Sequence, residues 1–228
     1  GDKYIGELLQ NADDAESTSV SFTMIGDYLL FQHEGKQFDE DDLIGICDAA
    51  SPDRAKVHDS NQIGNKGIGF KAVFSMASQV VIHSGEACFR FDEQHDKWAG
   101  NATNYPWQII PILTKLSELP GSVSKHCNAK KVTFIFKLRP KVIEDVKGQL
   151  SALKIQHLLF LRHVKGLTLG LGPDDQKTVS LAGGKIKCPN PEAGENDDFT
   201  IIRSGQARPK EPILVAGPGT GFGVGYLV

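Results

Sequence analysis

Two helical stretches, the first amphipathic, flank a tight hairpin pattern at the start of the chain, and that order constrains the fold more than any other feature. From Lys3 to Ala15 the apolar residues Ile5, Leu8, Leu9 and Ala12 recur at helical spacing and cover one side of a helix, leaving the other side polar. Ser19 to Thr23 and Asp27 to Gln32 then alternate or run apolar around the turn Ile25-Gly26-Asp27, the pattern of two antiparallel strands. A second helix is expected after Phe38. Asp39 serves as its N-cap, Glu40, Asp41 and Asp42 favour its positive end, and it runs to about Cys47.

Further along, Ala50 to Gln62 is polar, carries a proline and lacks any period, which predicts a surface loop beside the glycine run that follows and suited to act as a lid. Gly64 to Gly69 is a glycine-rich turn leading into an apolar helix expected over Phe70 to Ala77. Strands are expected at Gln79 to Ser84 and Ala87 to Phe91, turning at Gly85, and at Val132 to Leu138. A helical stretch is expected from about Val142 to Leu161. From Val164 onward short strand candidates lie among many glycines and prolines, and the composition shifts near Gly172-Pro173.

Composition removes several classes of function. The 228 residues carry 25 basic and 28 acidic side chains, a formal net charge of −3, so no global field argues for nucleic acid. The apolar run around Leu158 to Leu161 is broken by Arg162 and His163, far short of the roughly 18 residues that span a bilayer. Cys47, Cys88, Cys127 and Cys188 are widely spaced, which fits a reduced, intracellular protein, cytoplasmic or nuclear. The seven histidines form no zinc-spaced set, and no G-x-S-x-G elbow is present. The opening residues read as helix without a leader pattern, as expected of a piece of a longer protein.

Two constellations can carry chemistry. On the first helix Glu7, Asn11 and Asp14, spaced four and three apart, fall within about 60° of one another on the polar side. They offer a general base, an oxygen ligand for Mg²⁺ and a further carboxylate, or simply a solvated helix face. In IGNKGIGFKAVF, Gly64, Gly67 and Gly69 stand directly before a helix, where backbone N–H groups and the helix dipole can meet an anion. Lys66 and Lys71 flank them as point charges for phosphate oxygens or as solvated surface groups. The spacing G-x-x-G-x-G is neither the dinucleotide fingerprint nor the P-loop, and a close helix–sheet turn is the structural alternative.

Taken in order, GELLQNADDA, LLFQHEGKQF and IGNKGIGFKAVF resemble the nucleotide-site motifs of the GHKL ATPases, the superfamily of gyrase, the heat-shock chaperone of ninety kilodaltons, histidine kinases and MutL. LLQNADDA, IGNKGIGFKAVF and FLRHVKGLTL are most similar to its sacsin and NO VEIN branch, over roughly residues 1 to 170. The resemblance implies a Bergerat fold, an α/β (α+β) sandwich with helices over one face of a mixed, mostly antiparallel sheet, and ATP held with Mg²⁺ beneath a lid. It implies an ATP-binding domain at 1–172 and the start of a coupling segment at 173–228. Glu7 then matches the water-activating glutamate, Asn11 the Mg²⁺-binding asparagine and Asp14 the acidic residue near the nucleotide. Gly64, Gly67 and Gly69 match the phosphate-binding glycines, with Phe70 packing beneath and Gly35 kept from the second motif; Lys66, Ile68 and Lys71 complete the expected nucleotide-binding set.

The pattern departs from the family at two places. Where the family has an aspartate that accepts from the adenine amino group, this chain has His33, with Gly35 kept and Gln37 in place of a later glycine. A neutral His33 can accept one hydrogen bond, or Glu34 can take that part. Where a Gly-Thr pair precedes the last core strand, this chain has Ala129-Lys130 or Lys130-Lys131, so base preference is expected to be loose or different. The implied activity is slow Mg²⁺-dependent ATP hydrolysis driving a conformational switch in a chaperone-like or regulatory protein, with protein clients or self-association as partners. A pseudo-ATPase scaffold or interaction domain with weak or no nucleotide binding is the alternative.

Overall fold

The computed structural model describes residues 3–47, 70–98, 101, 104–158, 161–172, 175–182, 185–187, 213–217 and 223–227. The chain divides into two compact units, Gly1–Asp198 and Phe199–Val228.

The first unit opens with α1 (Lys3–Asp14), followed by β1 (Ser19–Ile25), β2 (Tyr28–His33) and α2 (Glu40–Cys47). The hairpin β1–β2 pairs Val20 with His33 and Ile25 with Tyr28, and Gly26 takes φ +61° in the turn, a conformation open to glycine without a Cβ penalty. The capping expected of Asp39 is present and reciprocal: Asp42 N donates to Asp39 Oδ1 at 3.0 Å and Asp39 N to Asp42 Oδ2 at 3.2 Å. Lys36 and the Asp42 amide together hold the Asp39 carboxyl down to about 2.

A 3-10 turn, Phe70–Ala72, leads into α3 (Val73–Met76), then β3 (Ala77–Ser84), β4 (Ala87–Asp92), the short β5 (Ile112–Leu113) and α4 (Gly121–Ser124). The helix expected over Phe70 to Ala77 is therefore one 3-10 turn plus one α turn. Ala77 already has extended backbone, φ −115° and ψ 141°, because the β-branched run beyond it pairs with the sheet.

β6 (Val132–Leu138), α5 (Ile143–Ser151), β7 (Gly166–Gly170), β8 (Gln176–Ala182) and β9 (Lys185–Lys187) complete the unit. The helix expected to Leu161 stops at Ser151, since side chains near its end take over the backbone groups. Ser151 Oγ bonds back to Lys147 O at 2.8 Å, and His157 Nδ1 accepts Lys154 N–H at 3.1 Å to cap a separate 3-10 turn, Ile155–Leu158.

Nine strands form one sheet in the order β5-β4-β3-β6-β2-β1-β7-β8-β9, with every pairing antiparallel except β1 with β7. This is the α/β sandwich expected, on a mixed, mostly antiparallel sheet. Register fixes the faces. Phe31 lies opposite Phe22 and Phe134, and Val80 and Ile82 lie opposite Phe136 and Phe134, so these residues share one face. That face carries linked rings: Phe22–Phe31 at 4.7 Å, Phe31–Phe134 at 5.9 Å and Phe70–Phe134 at 5.6 Å. On the opposite face Leu30, Val81, Cys88 and Ile135 bury against Val123 of α4.

In the second unit β10 (Ile213–Gly217) and β11 (Gly223–Leu227) form an antiparallel hairpin, the glycine-rich tail reading as strand.

Candidate functional site

α1 buries Tyr4, Ile5, Leu8, Leu9 and Ala12 and turns Glu7 and Asp14 to solvent, with Asn11 half-buried at the boundary. The three polar residues share one face, as their spacing predicts. Asp14 Oδ1 accepts from Gln10 Nε2 at 3.2 Å. α1 also packs against the turn Phe70–Ala72, the first residues after the glycine run. Phe70 is buried and meets Phe74 at 5.9 Å as well as Phe134. Burial raises the Cys47 thiol, and the neighbouring Lys71 ammonium acts against that rise. The end of α2 therefore lies within electrostatic reach of Lys71. Gly64, Lys66, Gly67, Ile68, Gly69 and the loop from Ala50 to Gln62 lie outside the described residues.

The other candidate residues sit on the loop leaving β2, which is fastened to the end of α1. Lys36 N donates to Ala15 O at 2.7 Å and Glu34 N to Ser17 Oγ at 3.2 Å. Gly35 is required here: a Cβ would collide with the Ala15 carbonyl oxygen. His33 is 3% exposed, its ring lying 6.0 Å from Phe31 and 6.2 Å from Phe134. Burial lowers its pKa to about 4, so the imidazole is neutral at pH 7. Its Nδ1 accepts the Gly35 N–H at 3.2 Å, which occupies the acceptor that a neutral His33 would offer to an amino group. Glu34, the other acceptor weighed, is exposed and paired with Lys131 at 3.2 Å.

The two departures from the motif pattern are bonded to each other, because Gln37 Nε2 donates to Ala129 O at 2.8 Å. Lys130 is exposed, its N–H taken by Asn128 Oδ1 at 2.9 Å.

Sequence reasoning missed Asp13. Its carboxylate is 2% exposed and accepts three consecutive backbone N–H groups, from Arg162 at 2.9 Å, His163 at 2.6 Å and Val164 at 2.9 Å. Burial raises its pKa, but the three amide donors outweigh that and leave the carboxyl below its ordinary value. A signal was available in the helical wheel: Asp13 stands about 100° from Asp14, toward the apolar arc.

A groove of about 650 Å³ lies between α1 and α5, lined by Ile5, Gly6 and Leu9 on one side and Gly148 and Gln149 on the other. Tyr4 OH donates to Gln149 Oε1 at 2.5 Å and ties the two helices together. Glu7, Asn11 and Asp14 do not line this groove. Among the described residues no group of three His, Cys, Asp or Glu side chains is placed to hold a metal ion, and no helix is long and apolar enough to cross a membrane.

The sequence is similar to protein NO VEIN of Arabidopsis thaliana, 31% identical over 94 residues. That match takes in 39% of this chain and spans 3% of the length of that protein. No family model matches the chain.

Proposed function

We propose that this chain binds ATP with Mg²⁺ on the outer face of α1 and hydrolyses it slowly, driving a conformational switch in a chaperone-like or regulatory multidomain protein of the GHKL type. The observation that carries the reading is the meeting of the motif elements: the helix bearing Glu7, Asn11 and Asp14 packs on the turn that directly follows the glycine run. The partial similarity to protein NO VEIN supports it from a separate direction.

The donor set on this face fits Mg²⁺, which keeps several waters and takes substrate phosphates, so that one half-buried amide oxygen from Asn11 suffices where a cation needing a full protein cage would not be held. When bound, that cation would neutralise charge on the β- and γ-phosphates. Glu7, solvent-facing one turn before Asn11, is placed to orient a water and take its proton. Asn11 fixes the register of the phosphates relative to Glu7, and the glycine-run N–H groups stabilise developing charge.

The test separates binding from turnover. Asn11→Ala is expected to abolish Mg²⁺-dependent ATP binding, and Glu7→Ala to keep binding while phosphate release falls at least 100-fold. Equal turnover by Glu7→Ala and wild type would remove Glu7 from the chemistry. A second reading, a pseudo-ATPase scaffold or interaction domain with weak or no nucleotide binding, is favoured by the engaged acceptor of His33; in that case wild type and Asn11→Ala bind ATP equally weakly or not at all.

A further inference from the structure

We propose that Cys88 and Cys127 close into a reversible disulfide when a hydroperoxide reaches the protein, with the His83 imidazole carrying the proton in the closing step. This redox modification site lies on the sheet face away from the linked phenylalanine rings and is independent of nucleotide binding.

Strand register brings the groups together. His83 of β3 stands opposite Cys88 of β4 on one side and Thr133 of β6 on the other, so the three side chains form one row on the face that buries against Val123 of α4. Directly opposed residues of an antiparallel pair have Cβ atoms about 4.5–5.5 Å apart. The segment after α4 is fastened over the same row. Gln32, opposite Thr133, donates through Nε2 to His126 O at 2.9 Å and to Thr133 Oγ1 at 3.1 Å. Cys127 follows at once. It packs against the cluster of Leu30, Val81, Cys88, Val123 and Ile135, and its Sγ meets Val123 O at 3.8 Å, a weak thiol contact that costs little to release. Burial pushes the Cys127 thiol up to about 11, and the nearby Cys88 thiol adds to the rise. His83 is 6% exposed, and its buried Nδ1 has no hydrogen-bond partner among the described residues. Burial lowers the His83 pKa, so the imidazole is neutral at pH 7 and able to accept a proton.

Cys88 is buried and Cys127 half-buried, so the oxidant meets Cys127 first. The Cys127 sulfur takes one oxygen from the hydroperoxide, giving a sulfenic acid and releasing an alcohol, or water where the oxidant is hydrogen peroxide. The Cys88 sulfur then attacks the Cys127 sulfur and the S–O bond breaks. The Cys88 proton passes by His83 Nδ1 to the departing hydroxide, which leaves as water. Two thiols and one hydroperoxide thus become one disulfide, one water and one alcohol. Both thiols are neutral and slow toward oxidants at pH 7, so it is the closeness of the second sulfur that selects this pair. The link joins β4 to the segment between α4 and β6.

The whole folded chain carrying Cys47→Ser and Cys188→Ser retains only this pair. After hydrogen peroxide and alkylation, peptide mapping by mass spectrometry is expected to find one intramolecular link between residues 88 and 127, reversed by dithiothreitol. Wild type with all four cysteines is mapped alongside, so that a fold disturbed by the serines does not decide the result, and the same link is expected. His83→Asn is expected to form it at least fivefold more slowly and to accumulate Cys127 sulfenic acid that dimedone traps. Cys88 and Cys127 left as free thiols, oxidised singly to sulfinic acid, or linked only between molecules overturns the proposal. An unchanged rate in His83→Asn, without trapped sulfenic acid, overturns the part given to His83.

Discussion

Asp13 holds the end of α1 to the approach of β7 with one side chain. Removing it leaves three consecutive amide groups without a partner, two of them part-buried and one buried. Asp13→Ala is therefore expected to cost about 3 kcal/mol or more, since a stranded buried donor costs roughly 1–3 kcal/mol. The carboxyl is depressed in the folded state, so its stabilisation is full above the unfolded value near 4 and is lost as pH falls through and below it. Urea titrations at pH 7 and pH 3 check both points: the gap between wild type and Asp13→Ala narrows at the lower pH. His33 has the same sign by a different cause. Burial takes its pKa from 6.5 to about 4, so it stabilises fully above pH 6.5 and loses that contribution as pH falls toward 4. Between pH 7.5 and 5, wild type is expected to lose about 2 kcal/mol more than His33→Gln in the same titration. Neither role was legible in the sequence. Asp13 reads as one of two adjacent acids on a polar helix, and the burial of His33 depends on Phe134, a hundred residues away. Glu7, Asn11 and Asp14 were legible, because helical spacing alone puts them on one face.

At the scale of elements, α1 ends in a left-handed cap without glycine. Glu16 has φ 59°, Glu16 N donates to Asp13 O at 2.9 Å and Ser17 N to Ala12 O at 3.0 Å. Glu16→Gly is expected to raise stability by about 1 kcal/mol by relieving the Cβ penalty, read as a higher urea midpoint at unchanged slope. The hairpins and α2 were legible because their signals are local: alternation, a turn glycine and an acidic cap. The end of α5 was not, because apolar residues continue past Ser151 at helical spacing while the Ser151 hydroxyl and the His157 ring settle the backbone differently. A pattern of apolar residues records burial, and Leu153 and Leu158 are buried although the α-helix has ended.

On the scale of the whole molecule, the nine-stranded order and the parallel β1–β7 pair join segments more than a hundred residues apart, which no local pattern specifies. The parallel pair places the segment that bonds Asp13 beside the strand following α1, so the end of α1 and the approach to β7 are joined through one carboxylate. The proposed function stands on Mg²⁺ and ATP binding at the face of α1 that bears Asn11, and isothermal titration of the folded chain with ATP, with and without Mg²⁺, for wild type and Asn11→Ala, decides it. Saturable binding that needs Mg²⁺ and disappears in Asn11→Ala is the predicted result. Absence of binding by the wild type, or equal binding by Asn11→Ala, would contradict it.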